Sequence, residues 1–196
     1  MSCIKKIQIE DTIYTADVDF RTAIKCNQIA MDETIGDFER ALGIICTMFG
    51  TEALDNPNHY EKLLNWAKKY LSCGEEIESS IGESDMDYVK DEKYIKSSFK
   101  YDYHYNPYEM ESFEWQDFYN DLNNLSNSEF GNCCILNRVR YWRNLDLSKI
   151  EDLKEREKAR KTKEYYSLKK NKKEKEIILT EEQQKSIDEF YKSLGY

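Results

Sequence analysis

Apolar residues recur at helical spacing along most of this chain, and polar residues fill the positions between them. The clearest case is the stretch DFERALGIICTMF, in which the apolar side chains recur every three or four positions. Its apolar residues are Phe38, Ala41, Leu42, Ile45, Met48 and Phe49. Because this spacing is typical of an amphipathic helix, we predict that the stretch is the central helix of the core.

The first residues follow a different pattern, because apolar and polar positions alternate there. The segments IKKIQI and IYTA predict a β-hairpin with strands at 4–9 and 13–16. Two strands alone are marginally stable, so this hairpin needs a helix to pack against. Asp17 or Asp19 can cap the helix that follows. One face of that helix carries Phe20, Ala23, Ile24 and Asn27.

Two Asn-Pro pairs mark predicted helix boundaries. Asn56, followed by a proline, predicts the start of a helix that ends near Gly74. Asn106, also followed by a proline, predicts that the preceding helix stops at or before it. The acidic segment 75–84 shows no helical period and is predicted to be a linker.

The stretch FEWQDFYNDLNNL, at 113–125, combines four aromatic rings with many acids and amides. The residues at helical spacing are Trp115, Phe118, Tyr119, Leu122 and Leu125. Glu114, Asp117 and Asp121 occupy other positions of the same helix. We therefore expect one face of rings packed into the core and one face of solvated acids.

The C-terminal part of the chain is basic, unlike the rest. Ser-x-x-Glu patterns at Ser126 and Ser148 predict capping boxes at the starts of the next two helices. Residues 138–175 contain fifteen Lys or Arg and seven Asp or Glu, although the chain as a whole carries a formal charge of −9. The chain is therefore predicted to be an acidic body with a basic arm. Apolar anchors on this arm are few, namely Ile150, Leu153, Tyr165 and Leu168.

These elements predict a mainly α fold: a bundle of about six to eight helices with a short N-terminal β-hairpin and an extended charged C-terminal helix. Few prolines and glycines interrupt the chain, which favours helices. The predicted organisation has four parts. They are the hairpin with its helices at 1–74, the acidic linker at 75–84, a second helical part of the same core at 85–145, and the basic helical arm with a short terminal helix from Thr180 at 146–196.

Composition narrows the functional classes. A pI near 5.0 argues against a general affinity for nucleic acid or anionic lipid. No run approaches the roughly 18 apolar residues that a membrane helix needs, and the start of the chain lacks the pattern of a signal peptide. The six cysteines are therefore expected to be reduced thiols in a cytoplasm.

Catalytic and metal-binding patterns are weak in this sequence. There is no CxxC, HxxxH or HExxH pattern, so adjacent Cys133 and Cys134 are expected to be buried thiols at a helix start. His104 lies among tyrosines, without a nucleophile pattern around it, and is expected to pack there. We predict no catalytic residue, no metal site and no cofactor.

Two charged segments leave alternatives open. The carboxylates on the helix of Trp115 could serve acid–base chemistry or bind a hard metal ion, although a solvated face is the commoner explanation. The basic arm, with Tyr165 and Tyr166 as stacking rings, could bind nucleic acid, and the acidic body could mimic DNA. Interleaved glutamates on the arm make binding to nucleic acid the less favoured hypothesis.

Several segments together resemble a known family. The string DEKYIKSSFKYDYHYNPYEMESFEWQDFYNDLNNL, followed by CILNRVRYW and a Lys/Glu-rich helix ending in YYSLKK, resembles the bacteriophage "gene product fifteen" family of siphophage tail genes. The stretch DFRTAIKCNQIAMDETIGDFERALGIICTMF is similar to the start of that family. One departure is Glu114, at a position where an aromatic residue or histidine is expected in many members.

The resemblance implies a non-enzymatic tail assembly chaperone that acts in the host bacterial cytoplasm. Such a protein is expected to bind the tape-measure protein and to keep it soluble while the tail tube forms. Further partners would be another tail assembly chaperone, the tail tube protein, or further copies of the chain. The predicted contact residues are Tyr101, Tyr103, Tyr105, Tyr108, Trp115 and Tyr119. A phage regulatory protein that acts on nucleic acid or its enzymes is the alternative.

Overall fold

The computed structural model describes residues 3–74, 85–127 and 133–168. These residues contain a two-stranded antiparallel sheet and seven α-helices, with short 3-10 turns between some of them. The predicted mainly α fold with an N-terminal hairpin is therefore confirmed. The predicted linker at 75–84 and the predicted terminal helix from Thr180 lie outside the described residues.

The hairpin consists of β1 (Ile4–Ile9) and β2 (Thr12–Asp17), close to the predicted strands. Its register pairs Ile9 with Thr12 next to the turn. Tyr14 and Ala16 are buried on one face, as the alternating pattern requires. The hairpin therefore packs one face on the helices, which stabilises two strands that would be marginal alone.

Helices α1 (Phe20–Ala30) and α2 (Asp37–Phe49) follow the hairpin and pack together. Asp19 caps α1, because its side chain accepts a hydrogen bond from the main-chain N–H of Arg21 at 2.9 Å. A side chain at Gly43 would lie 3.0 Å from that of Ile29, so the glycine allows the two helices to approach closely. One expectation for α2 is wrong: Phe38 is exposed, not part of the core.

Helix α3 (Tyr60–Leu71) begins after two 3-10 turns, Thr51–Asp55 and Pro57–His59. The first Asn-Pro pair therefore opens a 3-10 turn, and the α-helix predicted to start there begins at Tyr60. The second pair behaves as predicted, since α4 (Glu92–Asp102) ends before Asn106. A 3-10 turn at Pro107–Glu109 and then α5 (Trp115–Asn123) follow. On α5 the side chains of Trp115, Phe118 and Leu122 are buried, as the helical spacing predicts.

A short backbone pairing joins the first and second halves of the core. The N–H of Phe20 donates to the carbonyl of Phe113, and the N–H of Trp115 donates to the carbonyl of Val18, both at 2.9 Å. Three rings stack beside this pairing: Phe118 lies 4.5 Å from Phe20 and 5.4 Å from Phe99, measured between ring centroids. The core is thus continuous from α1 through α4 to α5.

Helix α6 begins at Ile135 (Ile135–Asn144), and Glu129, the second residue of the capping box predicted from Ser126, lies outside the described residues. The Ser126 hydroxyl donates to Asp102 at 2.9 Å and accepts the N–H of Cys134 at 3.1 Å. The first turn of α6 is capped from another helix, because the buried Ser98 hydroxyl of α4 accepts the N–H of Leu136 at 3.1 Å. A side chain distant in sequence thus caps the described start of α6.

The chain divides into two compact units, residues 1–141 and 142–196. The described part of the second unit holds the end of α6, a 3-10 turn at Leu147–Lys149, and α7 (Leu153–Tyr166). The capping box predicted at Ser148 is wrong, since Asp152 caps α7 by accepting the N–H of Glu155 at 2.8 Å. Two predicted apolar anchors of this arm, Leu153 and Tyr165, are exposed instead.

Candidate partner-binding surface

Four tyrosines lie in the segment 101–108, which we call the tyrosine turn, at the end of α4. The Tyr101 side chain is 67% exposed. The Tyr103 hydroxyl donates a hydrogen bond to the main-chain carbonyl of Asp121 at 2.9 Å, and the Tyr105 hydroxyl donates to the carboxylate of the same residue. Tyr103 and Tyr105 therefore attach the tyrosine turn to α5.

Tyr108 completes the tyrosine turn and lies against the core. Its ring meets that of Phe20 edge-on, with centroids 5.0 Å apart, and Lys96 Nζ lies 4.7 Å from the Tyr108 centroid. Burial raises the pKa of Tyr108 above its ordinary value. Its hydroxyl is buried and has no hydrogen-bond partner among the described residues. The ring is therefore held by packing and by the cation–π contact with Lys96, and not by a hydrogen bond of its hydroxyl within the described residues.

The remaining two predicted contact residues belong to the interior. Trp115 is 1% exposed, and its Nε1 donates to the carbonyl of Leu71 at 3.0 Å. Tyr119 is half-buried against the core, 5.6 Å from Trp115 between centroids. Of the six predicted contact residues, Tyr101 alone is strongly exposed, while the others are buried or half-buried. Their role in binding stays a prediction.

Arg21 fixes the chain beyond the tyrosine turn. Its guanidinium is paired with Asp19 at 3.1 Å and donates to the carbonyls of Pro107 and Met110, at 3.2 and 2.6 Å. One arginine thus binds the start of α1 to the segment between α4 and α5. Charge-assisted hydrogen bonds of this kind are stronger than neutral ones, so this part of the surface is preorganised.

His104 contradicts its predicted packing role, because its side chain is exposed. Its backbone has φ of 60°, the left-handed region that a non-glycine residue rarely adopts. The rings of the residues on either side, Tyr103 and Tyr105, stack on each other with centroids 5.9 Å apart. The histidine therefore shapes the turn without lying among the rings.

Of the three acids predicted to form a solvated face, Asp117 is exposed, whereas Asp121 and Glu114, the residue just before α5, have partners. Glu114 lies 2.5 Å from Lys5 Nζ and accepts a hydrogen bond from the Tyr70 hydroxyl at 2.9 Å. These partners, Lys5 above all, lower the pKa of the Glu114 carboxyl below its ordinary value. Asp121 accepts from Tyr105, as described above. The two acids join α5 to the hairpin, to α3 and to the tyrosine turn.

No group of three or more His, Cys, Asp or Glu residues that could hold a metal ion occurs within 3–74, 85–127 and 133–168. All six cysteines lie in these ranges, and no disulfide joins them. Cys134 is buried and Cys133 is half-buried immediately before α6, close to the expectation for this pair. Over the same ranges, every helix is too short or too polar to cross a membrane.

Sequence reasoning missed an exposed apolar pair at the α1–α2 connection. Met31 at the end of α1 is 75% exposed, and Phe38 in the first turn of α2 is 67% exposed. Arg40 holds the connection in place by donating to the carbonyl of Asp32 at 2.7 Å. The polar run DETIGD between the helices was the available signal, because it places Phe38 where α2 has only just begun.

A buried histidine was also missed. His59 is hydrogen-bonded through Nδ1 to the Tyr14 hydroxyl at 2.7 Å, and its Nε2 lies 3.4 Å from the carboxylate of Glu10. The contacts join the hairpin to the start of α3. The sequence around His59, close to an Asn-Pro pair, contains no signal that predicts a contact with Tyr14 or Glu10 in the hairpin.

A comparison with protein families tests the resemblance seen in the sequence. Residues 2–168 match the family described as Bacteriophage Gp15 protein. The chain belongs to this family. No curated protein and no solved structure matches it. Membership identifies this Gp15 protein as a phage protein. The match covers every described element from β1 to α7.

Proposed function

We propose that this Gp15 protein is a non-enzymatic tail assembly chaperone that binds the phage tape-measure protein. It keeps that long helical chain soluble in the host bacterial cytoplasm until the tail tube has polymerised around it. Another tail assembly chaperone, the tail tube protein and further copies of the chain are candidate additional partners. Membership of the Gp15 family is the observation that supports a phage role most directly.

Exposed apolar side chains on well-anchored helices support a binding role. Met31 and Phe38 project from the α1–α2 connection, and Tyr101 projects from the end of α4. Large exposed apolar side chains can serve as anchors for an apolar partner helix. The formal charge of −9 would keep a complex with an apolar chain in solution.

Co-expression with the tape-measure protein of the same phage tests the proposal. We expect the soluble fraction of the tape-measure protein to rise and the two proteins to co-purify. An unrelated acidic helical protein of similar size serves as the control for a general effect of charge. An unchanged soluble fraction, together with no co-purification, would contradict the proposal.

The basic face of α7 supports a second candidate, a regulatory phage protein that acts on nucleic acid or its enzymes. Tyr165 and Tyr166 lie edge-on at the end of α7, with ring centroids 5.0 Å apart. A salt-sensitive electrophoretic shift of DNA by the chain, or inhibition of a nuclease, would favour this candidate.

A hydrolase that uses the carboxylates of α5 is a third candidate. Glu114 and Asp121 already accept hydrogen bonds from tyrosine hydroxyls, which occupy oxygens that a metal ion would need. Titration calorimetry with manganese or magnesium tests this candidate, and a saturable binding signal would be required to keep it.

A further inference from the structure

Three lysines and a tyrosine form a solvent-facing ridge on α7, which we call the lysine ridge. It consists of Lys154, Lys158, Lys161 and Tyr165. Their separations of four, three and four positions place them on one face of a helix. All four side chains are exposed, with Lys161 at 70% and Tyr165 at 76%. The buried Ala159 lies on another face of α7.

The ridge keeps its positive charge. Within 133–168, no ion pair holds Lys154 or Lys158, and Lys161 approaches Glu157 only at 3.6 Å. The neighbouring acids are instead held by one arginine, because Arg160 pairs with Glu157 at 2.7 Å and with Glu164 at 2.5 Å. Lys154 and Lys158 therefore take no part in the ion pairs of α7, and Lys161 makes one long pair with Glu157. The positive charge of the ridge is available to a partner.

The spacing of the ridge residues suits contact with a second α-helix. Side chains four, three and four positions apart lie on one face, so a second helix that lies alongside α7 can meet all of them. At 1.5 Å per residue, the ridge is about 16 Å long from Lys154 to Tyr165. A partner helix with carboxylates at the same spacing would meet each lysine, and an apolar residue at its end would meet the Tyr165 ring.

Nucleic acid fits the ridge less well. Duplex DNA carries about one charge per 1.7 Å of its axis, so phosphates would also face the acids beside the lysines. Those acids are Glu155, Glu157 and Glu164, all on the same helix. A helical protein can place its own lysines or arginines opposite these acids, whereas a phosphate backbone cannot.

We propose that the lysine ridge docks an acidic α-helix of another protein, in which Asp or Glu recur with alternating separations of four and three positions. This inference goes beyond the chaperone role and does not depend on it, because the exposed residues proposed to bind the tape-measure protein lie on α1, α2 and α4. It assigns α7 a partner of its own.

Fluorescence anisotropy with the full chain tests the inference. The probe is a labelled, alanine-based helical peptide of about 20 residues, with glutamates at separations of four, three and four positions. We expect saturable binding at low salt. The triple variant K154Q/K158Q/K161Q should weaken binding about tenfold, because each exposed pair contributes modestly. The matched variant K6Q/K25Q/K68Q removes the same charge from exposed lysines in residues 1–141 and should change affinity less than about twofold.

Three results would overturn the inference. The first is equal binding of a peptide with the same composition and scrambled glutamate spacing, because it would show attraction by bulk charge alone. The second is displacement of the peptide by a single-stranded or duplex oligonucleotide that binds more tightly at the same salt, which would identify a nucleic-acid site. The third is self-association of the chain, seen by light scattering and lost in the triple variant, which would place a second copy on the ridge.

Discussion

The indole Nε1 of Trp115 donates a hydrogen bond to the main-chain carbonyl of Leu71 across 3.0 Å. Leu71 is the last residue of α3, and Trp115 is the first residue of α5. The bond satisfies a carbonyl at a helix end, where no partner within the helix is available. One buried ring thus contributes both apolar area and a polar contact to the join between the two halves of the core.

Replacing Trp115 by Phe should keep most of the ring and remove this bond. We expect a loss of about 1–3 kcal/mol in the free energy of unfolding, because the Leu71 carbonyl is left without its indole partner. Urea denaturation measures the change. Trp66→Phe is the matched control, since Trp66 packs on Tyr70 without an indole hydrogen bond among the described residues. Equal losses in the two variants would show that ring area, and not the bond, is what matters.

Ser98 is expected to stabilise α6 from α4. Ser98→Ala leaves the N–H of Leu136 buried without an acceptor, which should cost about 1–3 kcal/mol in the free energy of unfolding. Ser97→Ala, one position away and exposed, should change it by less than about 0.5 kcal/mol. Thermal or urea denaturation of both variants makes the comparison. A Ser98 variant as stable as the Ser97 variant would refute the cap.

Glu114 should make the stability depend on pH. Its pKa in the folded chain is lowered, chiefly by Lys5, so its contribution is present above the unfolded value of about 4.3. That contribution is lost as the pH falls through the lower folded value. Urea denaturation at about pH 7 and about pH 3.5 should therefore show a smaller difference for Glu114→Gln than for the wild type.

The control for this pH dependence is Glu61→Gln, which changes an exposed carboxylate in the first turn of α3. No ion pair involving Glu61 is formed within the described ranges. The Glu61 variant should retain the pH dependence of the wild type. Identical pH dependence in the wild type and the Glu114 variant would contradict the pairing with Lys5 and Tyr70.

Much of the fold could be predicted from periodicity, because α5 and the hairpin bury the side chains that recur at helical or alternating spacing. The errors arise where contacts distant in sequence override local signals. Ser126 fits a capping box by sequence, yet its hydroxyl bonds to Asp102 and to the Cys134 N–H. Phe38 fits the apolar spacing of α2, but it lies in the first turn, where its side chain is mostly exposed.

The candidate contact residues show the same limit. A cluster of tyrosines in the sequence suggested a polar aromatic surface. Which of these rings are exposed depends, however, on the hydrogen bonds that their hydroxyl groups make. Tyr103 and Tyr105 both bond to Asp121 on α5, and no sequence spacing encodes that pairing. Tyr101 remains outside these contacts and is exposed. Substitution of Tyr103 or Tyr105 by Ala is therefore expected to lower stability, whereas Tyr101→Ala should leave it within about 0.5 kcal/mol.

The most direct test of the proposed binding role is the amount of tape-measure protein that co-purifies with exposed-residue variants. The test variant is Met31→Ser, Phe38→Ser and Tyr101→Ala combined, and the control combines Gln28→Ser with Asn65→Ser, both exposed polar positions. We expect unchanged stability in both, and a loss of about tenfold or more in co-purified tape-measure protein for the first alone, since several apolar contacts are removed. Full recovery of the tape-measure protein by the first variant would contradict the proposed role of these side chains.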